Sequence, residues 1–122
     1  MEFNFDYSIE DDILSIFNYK FKSSESIEFS DNLILDIDKK GFLVGIEILD
    51  ASDFLNSFQG MNNKKLMKEI LSNLKSVELI ERNYRGYWCI ILLLKSKEGE
   101  IIQQTMPLLK KSEYKSPLLL AS

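Results

Sequence analysis

Apolar and polar positions alternate from the first residues. Phe3, Phe5 and Tyr7 interleave with Glu2, Asn4 and Asp6, the period of two that marks a half-buried strand. The polar stretch 8–11 reads as a turn. Over 12–22, Leu14 and Ile16 fall on one face and Ile13, Phe17, Tyr19 and Phe21 on the other. A strand apolar on both faces belongs inside a sheet. Ser23-Ser24 breaks it. Ile27 and Phe29 then flank Glu28, Ser30-Asp31-Asn32 turns the chain, and Leu33, Leu35 and Ile37 alternate with Asp36 and Asp38. Asp38-Lys39-Lys40-Gly41 has the form of a hairpin turn, with glycine at its positive-φ end. Phe42, Val44, Ile46 and Ile48 line one face of the next strand, and Gly45 on the other face marks a bulge or a close backbone approach. The first fifty residues form an antiparallel meander of about five short strands.

The period then lengthens. Asp50 or Ser52 can cap a short helix in which Phe54, Leu55 and Phe58 share a face, ending at Gly60. Asn62 or Asn63 can cap a second, where Leu66, Met67, Ile70, Leu71 and Leu74 recur at helical spacing with lysines mostly opposite. Strands return with Val77, Leu79 and Ile80. Arg82-Asn83-Tyr84-Arg85-Gly86 reads as a turn, and 87–95 as a central strand apolar on both faces. Lys97-Glu98-Gly99-Glu100 turns, and 101–106 is a final strand that Pro107 ends or confines to a sheet edge. Polar 110–116 and apolar Pro117-Leu118-Leu119-Leu120-Ala121-Ser122 follow. The pattern predicts one α+β domain over 1–122: a β-meander (1–50), a helix pair (51–76), then a second antiparallel set of strands with a C-terminal tail (77–122).

Composition narrows the chemistry. At 122 residues and 45% hydrophobic, the chain can build a core without metal or disulfide staples. It contains no histidine, which removes serine–histidine and cysteine–histidine catalysis and every imidazole metal site. The single cysteine, Cys89, forms no intrachain disulfide and no multi-thiolate zinc site, and its neighbours Trp88 and Ile90 mark a buried apolar thiol. No cofactor and no metal is expected. The acidic start lacks the basic and apolar pattern of a signal peptide, and the apolar run ending at Leu94 is far short of the ~20 residues that span a bilayer, so a cytoplasmic protein without membrane contact is expected.

Charge is uneven. Residues 1–60 carry −9 and residues 61–122 carry +5, for a net charge of −4. An acidic chain does not suit duplex DNA, whose binding rests on many phosphate-neutralising cations. Three groups of residues could carry function. Asp36 and Asp38 sit two apart on a strand face, with Asp11, Asp12 and Asp31 at nearby turns; acid–base chemistry would also need a pocket and a raised pKa. Arg82, Tyr84, Arg85, Tyr87 and Trp88 gather both arginines and the only tryptophan, the side-chain types that dominate interface hot spots. The apolar residues 117–122 must dock on their own sheet or on another chain.

Residues 7–52 carry a further signal. Tyr7-Ser8-Ile9-Glu10-Asp11-Asp12-Ile13-Leu14-Ser15-Ile16 is followed by Leu35-Asp36-Ile37-Asp38-Lys39-Lys40-Gly41-Phe42-Leu43-Val44-Gly45-Ile46-Glu47-Ile48-Leu49-Asp50-Ala51-Ser52. This resembles the small prokaryotic family known as domain of unknown function number twenty-two eighty-three, with departures at Ser8, Asp11 and Ser15. The resemblance implies a small β-rich fold ending in a helix and no established activity. Taken together, the sequence reads as a non-enzymatic interaction module that self-associates or binds a protein partner. The alternative is a small-ligand-binding protein or carboxylate-based enzyme using the acidic half.

Overall fold

Eight strands and two helices make up the described residues, 2–59, 62–84 and 87–110, of a computed structural model. Side chains are described for all of these except residues 2, 58–59, 83–84, 87–88 and 107–110. In chain order the elements are β1 (Glu2–Ser8), β2 (Ile13–Phe17), β3 (Glu25–Glu28), β4 (Leu33–Ile37), β5 (Leu43–Leu49), α1 (Ala51–Gln59), α2 (Lys64–Ser72), β6 (Leu74–Tyr84), β7 (Tyr87–Ser96) and β8 (Ile101–Lys110). All strand pairs are antiparallel, in one sheet ordered β3-β4-β5-β2-β1-β6-β7-β8. The predicted α+β class and its order of meander, helices and second meander are those observed.

The register explains the core. Leu14 and Ile16 of β2 face Ile48 and Ile46 of β5, which face Leu33 and Leu35 of β4. Val77 and Leu79 face Leu94 and Leu92 of β7. All are buried, and Ala51, Leu55, Met67, Ile70 and Leu71 of the helices close over them. α1 touches both β5 and β8, five places apart in the sheet, so the sheet curls around the helices. Among the described residues no helix is long and apolar enough to cross a membrane.

Several boundaries differ from those the periodicity predicts. β2 stops at Phe17, because the Asn18 side chain accepts from the Lys20 amide (2.9 Å) and the Asn18 carbonyl from the Phe21 amide (3.1 Å), folding the chain into a turn. α2 stops at Ser72, where the Asn73 amide group donates to the Glu69 carbonyl and its backbone N–H to that of Ile70; Leu74 is buried as part of β6 instead. Arg82 and Tyr84 belong to β6 rather than to a turn, since its pairing with β7 continues to Tyr84 opposite Tyr87. Arg85, Gly86 and Gly60 lie outside the described residues, as does the tail 111–122. Pro107 does not end β8; it sits on the edge strand opposite Cys89, beside a register shift, where a missing N–H costs no inner ladder bond. Cys89 is half-buried rather than fully buried.

Candidate functional site

The two half-sheets meet along a short seam. Among the described residues, β1 and β6 pair at Glu2 with Glu78 and at Phe3 with Val77. β6 continues past this point, so Leu79 and Glu81 run on beyond the end of β1. On the other side of the gap, β5 begins with an irregularity: Asp36 pairs with Gly45 but Ile37 pairs with Leu43, leaving Val44 unmatched. A bulge of this kind re-aims side chains, and Leu43 and Val44 are both buried although adjacent. Gly45 permits the close approach that the sequence anticipates, since a Cβ there would lie 2.8 Å from the backbone oxygen of Ile16.

The resulting groove has a volume of about 360 Å³. Phe3, Leu43, Val44 and Leu79 line it, with Phe21 and Phe42 at its mouth and the carboxylates of Asp38 and Glu81 beside them. Phe21 is 46% and Phe42 56% exposed, large apolar surface to leave in water. A second hollow of about 540 Å³ shares Phe21 and Asp38 and adds Lys22, Lys39 and Lys40. The groove opens at the Leu43 end of β5, away from the Leu49 end where α1 starts.

The predicted carboxylates are not brought together for chemistry. Asp36 accepts from the Ser26 hydroxyl (2.6 Å) across β3 and β4. Asp38 accepts from the amides of Lys40 (2.8 Å) and Phe42 (3.0 Å), so it builds the turn that carries Phe42. Asp11 bonds to Ser8 within its own turn. Among the described residues no three of Cys, Asp and Glu gather as a metal-holding group.

Asp12 is the exception in its burial, at 6% exposure. Its carboxylate accepts from the Tyr7 hydroxyl (2.6 Å), the Ser52 amide (3.0 Å) and the Ser52 hydroxyl (2.6 Å), while its own carbonyl accepts from the Ala51 amide (2.9 Å). Burial opposes its ionisation, but the bonds from Ser52 and Tyr7 outweigh that cost and hold the carboxyl below its usual range. Burial and the neighbouring Asp12 push the Tyr7 hydroxyl well above its ordinary value. Ser52 therefore anchors the start of α1 to the β1–β2 turn rather than capping the helix. Both oxygens of the carboxylate are occupied and Ser52 is wholly buried, so the cluster is a structural clasp. Sequence reasoning treated its members separately. The one signal joining them was that Tyr7, Asp12, Ala51 and Ser52 all fall in the family-like stretches.

Of the arginine–aromatic segment, Arg82 is exposed on β6 and its Nη1 donates to the Glu81 carbonyl (3.3 Å). The register sets Arg82 opposite Cys89, Asn83 opposite Trp88 and Tyr84 opposite Tyr87, next to the groove residue Glu81. Arg85 and the side chains of Tyr84, Tyr87 and Trp88 lie outside the described set.

Comparison with known proteins agrees with this division of the molecule. The chain is 32% identical over 106 residues to the uncharacterized protein MJ0789 of Methanocaldococcus jannaschii, covering 87% of this chain and 85% of the relative. No solved structure matches. A family model described as protein of unknown function, DUF2283, matches residues 4–52, which hold β2 to β5, nearly all of β1, and the Tyr7–Asp12–Ser52 clasp. On these matches, the chain belongs to the DUF2283 family.

Proposed function

We propose that the protein is a non-enzymatic interaction module, in which the groove between the half-sheets seats an apolar segment of a protein partner or of another copy. One observation supports this above the others: Phe3, Leu43, Val44 and Leu79 line the groove, and Asp38, one of the two acidic residues beside it, already holds its own turn together. Apolar walls with few polar groups suit capture by burial rather than bond-making. Asp38 and Glu81 at the rim, with Lys22, Lys39 and Lys40 around the adjoining hollow, give the mouth a mixed-charge border of the kind that surrounds an apolar contact. The exposed Arg82, adjacent to Glu81, extends the same surface onto the β6–β7 hairpin. The unpaired thiol of Cys89 suits a reducing, cytoplasmic setting. The net charge of −4 argues against duplex DNA.

A small apolar ligand is the second reading, because about 360 Å³ lies within the range of small-molecule pockets. Calorimetric titration separates the two. Synthetic peptides with a leucine cluster are expected to bind the full chain, the same peptides with serine in place of leucine are not, and Phe42→Ser is expected to weaken binding at least tenfold. If no peptide binds while a compact apolar dye saturates at one site lost in Phe42→Ser, the small-ligand reading replaces the module. Light scattering on the same samples reports self-association.

A further inference from the structure

The acidic half of the chain keeps its cations in one place. Residues 1–60 hold thirteen acidic residues and four basic ones, and the basic ones are Lys20, Lys22, Lys39 and Lys40. Lys20 and Lys22 stand between β2 and β3, and Lys39 and Lys40 in the turn between β4 and β5. Backbone amides held by the Asn18 and Asp38 side chains shape these two connections. All four lysines are exposed, and among the described residues none of them pairs with a carboxylate. The same two connections leave Tyr19, Phe21 and Phe42 exposed.

These cations gather on one side of the groove. Lys22, Lys39 and Lys40 line the hollow of about 540 Å³ that meets the groove at Phe21 and Asp38. The carboxylate of that hollow, Asp38, already accepts the amides of Lys40 and Phe42. On the groove's other border, Glu81 has Arg82 as its chain neighbour. Cations therefore outnumber carboxylates around the joined surface, most strongly beside Phe21.

An apolar trough that runs into a lysine cluster is complementary to a segment that runs from apolar into acidic residues. We infer that the partner segment seated in the groove carries acidic residues beside its apolar ones. Its apolar side chains lie against Phe3, Val44 and Leu79, and its carboxylates face Lys22, Lys39 and Lys40. The inference rests on the reading of the groove as a seat for an apolar segment, and it names the chemistry of that segment. A second copy matches less well. Its exposed large aliphatic side chains among the described residues, Ile9, Leu66 and Ile101, stand singly in separate parts of the fold. Each exposed ion pair contributes little, so apolar burial supplies the attachment while the lysines choose among partners.

Calorimetric titration of the full chain with a set of synthetic peptides tests this. Each carries the same leucine cluster, joined at one end to glutamates, to lysines or to serines, in both chain directions. The glutamate peptide is expected to bind at least tenfold tighter than the lysine peptide, and its advantage to shrink as added salt screens the exposed charges. Lys22→Gln, Lys39→Gln and Lys40→Gln together are expected to erase that preference. Lys22→Glu, Lys39→Glu and Lys40→Glu together are expected to reverse it, with Tm followed in each variant to show that the protein is folded. Equal affinities for the two charged peptides, or a preference that folded variants leave unchanged, overturn the inference and leave the groove reading standing. Failure of every leucine peptide overturns the groove reading itself. Without a preference for the glutamate peptide, binding of a short oligouridine RNA that the variants abolish overturns the inference in favour of a nucleic acid. Self-association that they abolish, seen by light scattering, overturns it in favour of a second copy.

Discussion

Asp12 concentrates at one residue what the fold needs at the junction of its first hairpin and first helix. Its backbone is left-handed, with φ of 55°, a conformation that aspartate tolerates better than most residues. Asp12→Ala strands the buried Ser52 donors and strains that backbone, and is expected to lower stability by about 2–4 kcal/mol in urea unfolding. Asp12→Asn keeps the backbone preference and one acceptor and should cost less. Because the folded carboxyl titrates below its unfolded value, the clasp contributes fully above about pH 4 and is lost as pH falls through the folded value. Native protein and Asp12→Asn should therefore converge in stability as the pH falls through the folded value. The Tyr7 hydroxyl has the opposite sign: its raised pKa contributes stability below about pH 10 that disappears as pH climbs further. Gly45 sets a steric limit instead. Gly45→Ala drives a methyl group against the Ile16 backbone oxygen, and is expected to cost about 2 kcal/mol and lower Tm.

Among the elements, α2 illustrates how much local chemistry decides. The Asn63 side chain accepts from the Leu66 amide at 3.0 Å, so Asn63→Ala should lower stability by about 1 kcal/mol, read from thermal unfolding. That cap was visible in the sequence, as were the alternation of β1, β4 and β5 and the turn at Gly41, whose φ is 85°. Other features were not. Tyr19 and Phe21 continue the alternation of β2, yet an asparagine turn leaves them 80% and 46% exposed. Nothing in Arg82-Asn83-Tyr84 separates a turn from a long hairpin, because only the cross-strand register with β7 carries β6 that far. The groove was illegible for a different reason. It draws Phe3, Phe21, Val44 and Glu81 from four distant stretches, and its shape comes from a bulge and a short strand pairing rather than from any local pattern.

For the molecule as a whole, the opposite charges of the two halves carry little of the stability. The exposed Lys64–Asp53 pair, 3.0 Å apart, is the described salt bridge between them, and Lys64→Ala is expected to leave Tm nearly unchanged, because water and salt screen an exposed pair. Burial dominates instead, through the core shared by sheet and helices. Phe42→Ser, at a residue more than half exposed, should change stability by under about 1 kcal/mol, so any loss of binding in that variant reports on the groove itself. The narrow β1–β6 seam has a dynamic consequence. Among the described residues two ladder positions join the backbones of the meanders, the rest of their attachment being the shared apolar core, so amide hydrogen exchange should show the ladder bonds at this seam opening before those within either meander. Because α1 packs on both β5 and β8, such opening is confined to the groove's end of the seam, making groove width a breathing coordinate of the fold.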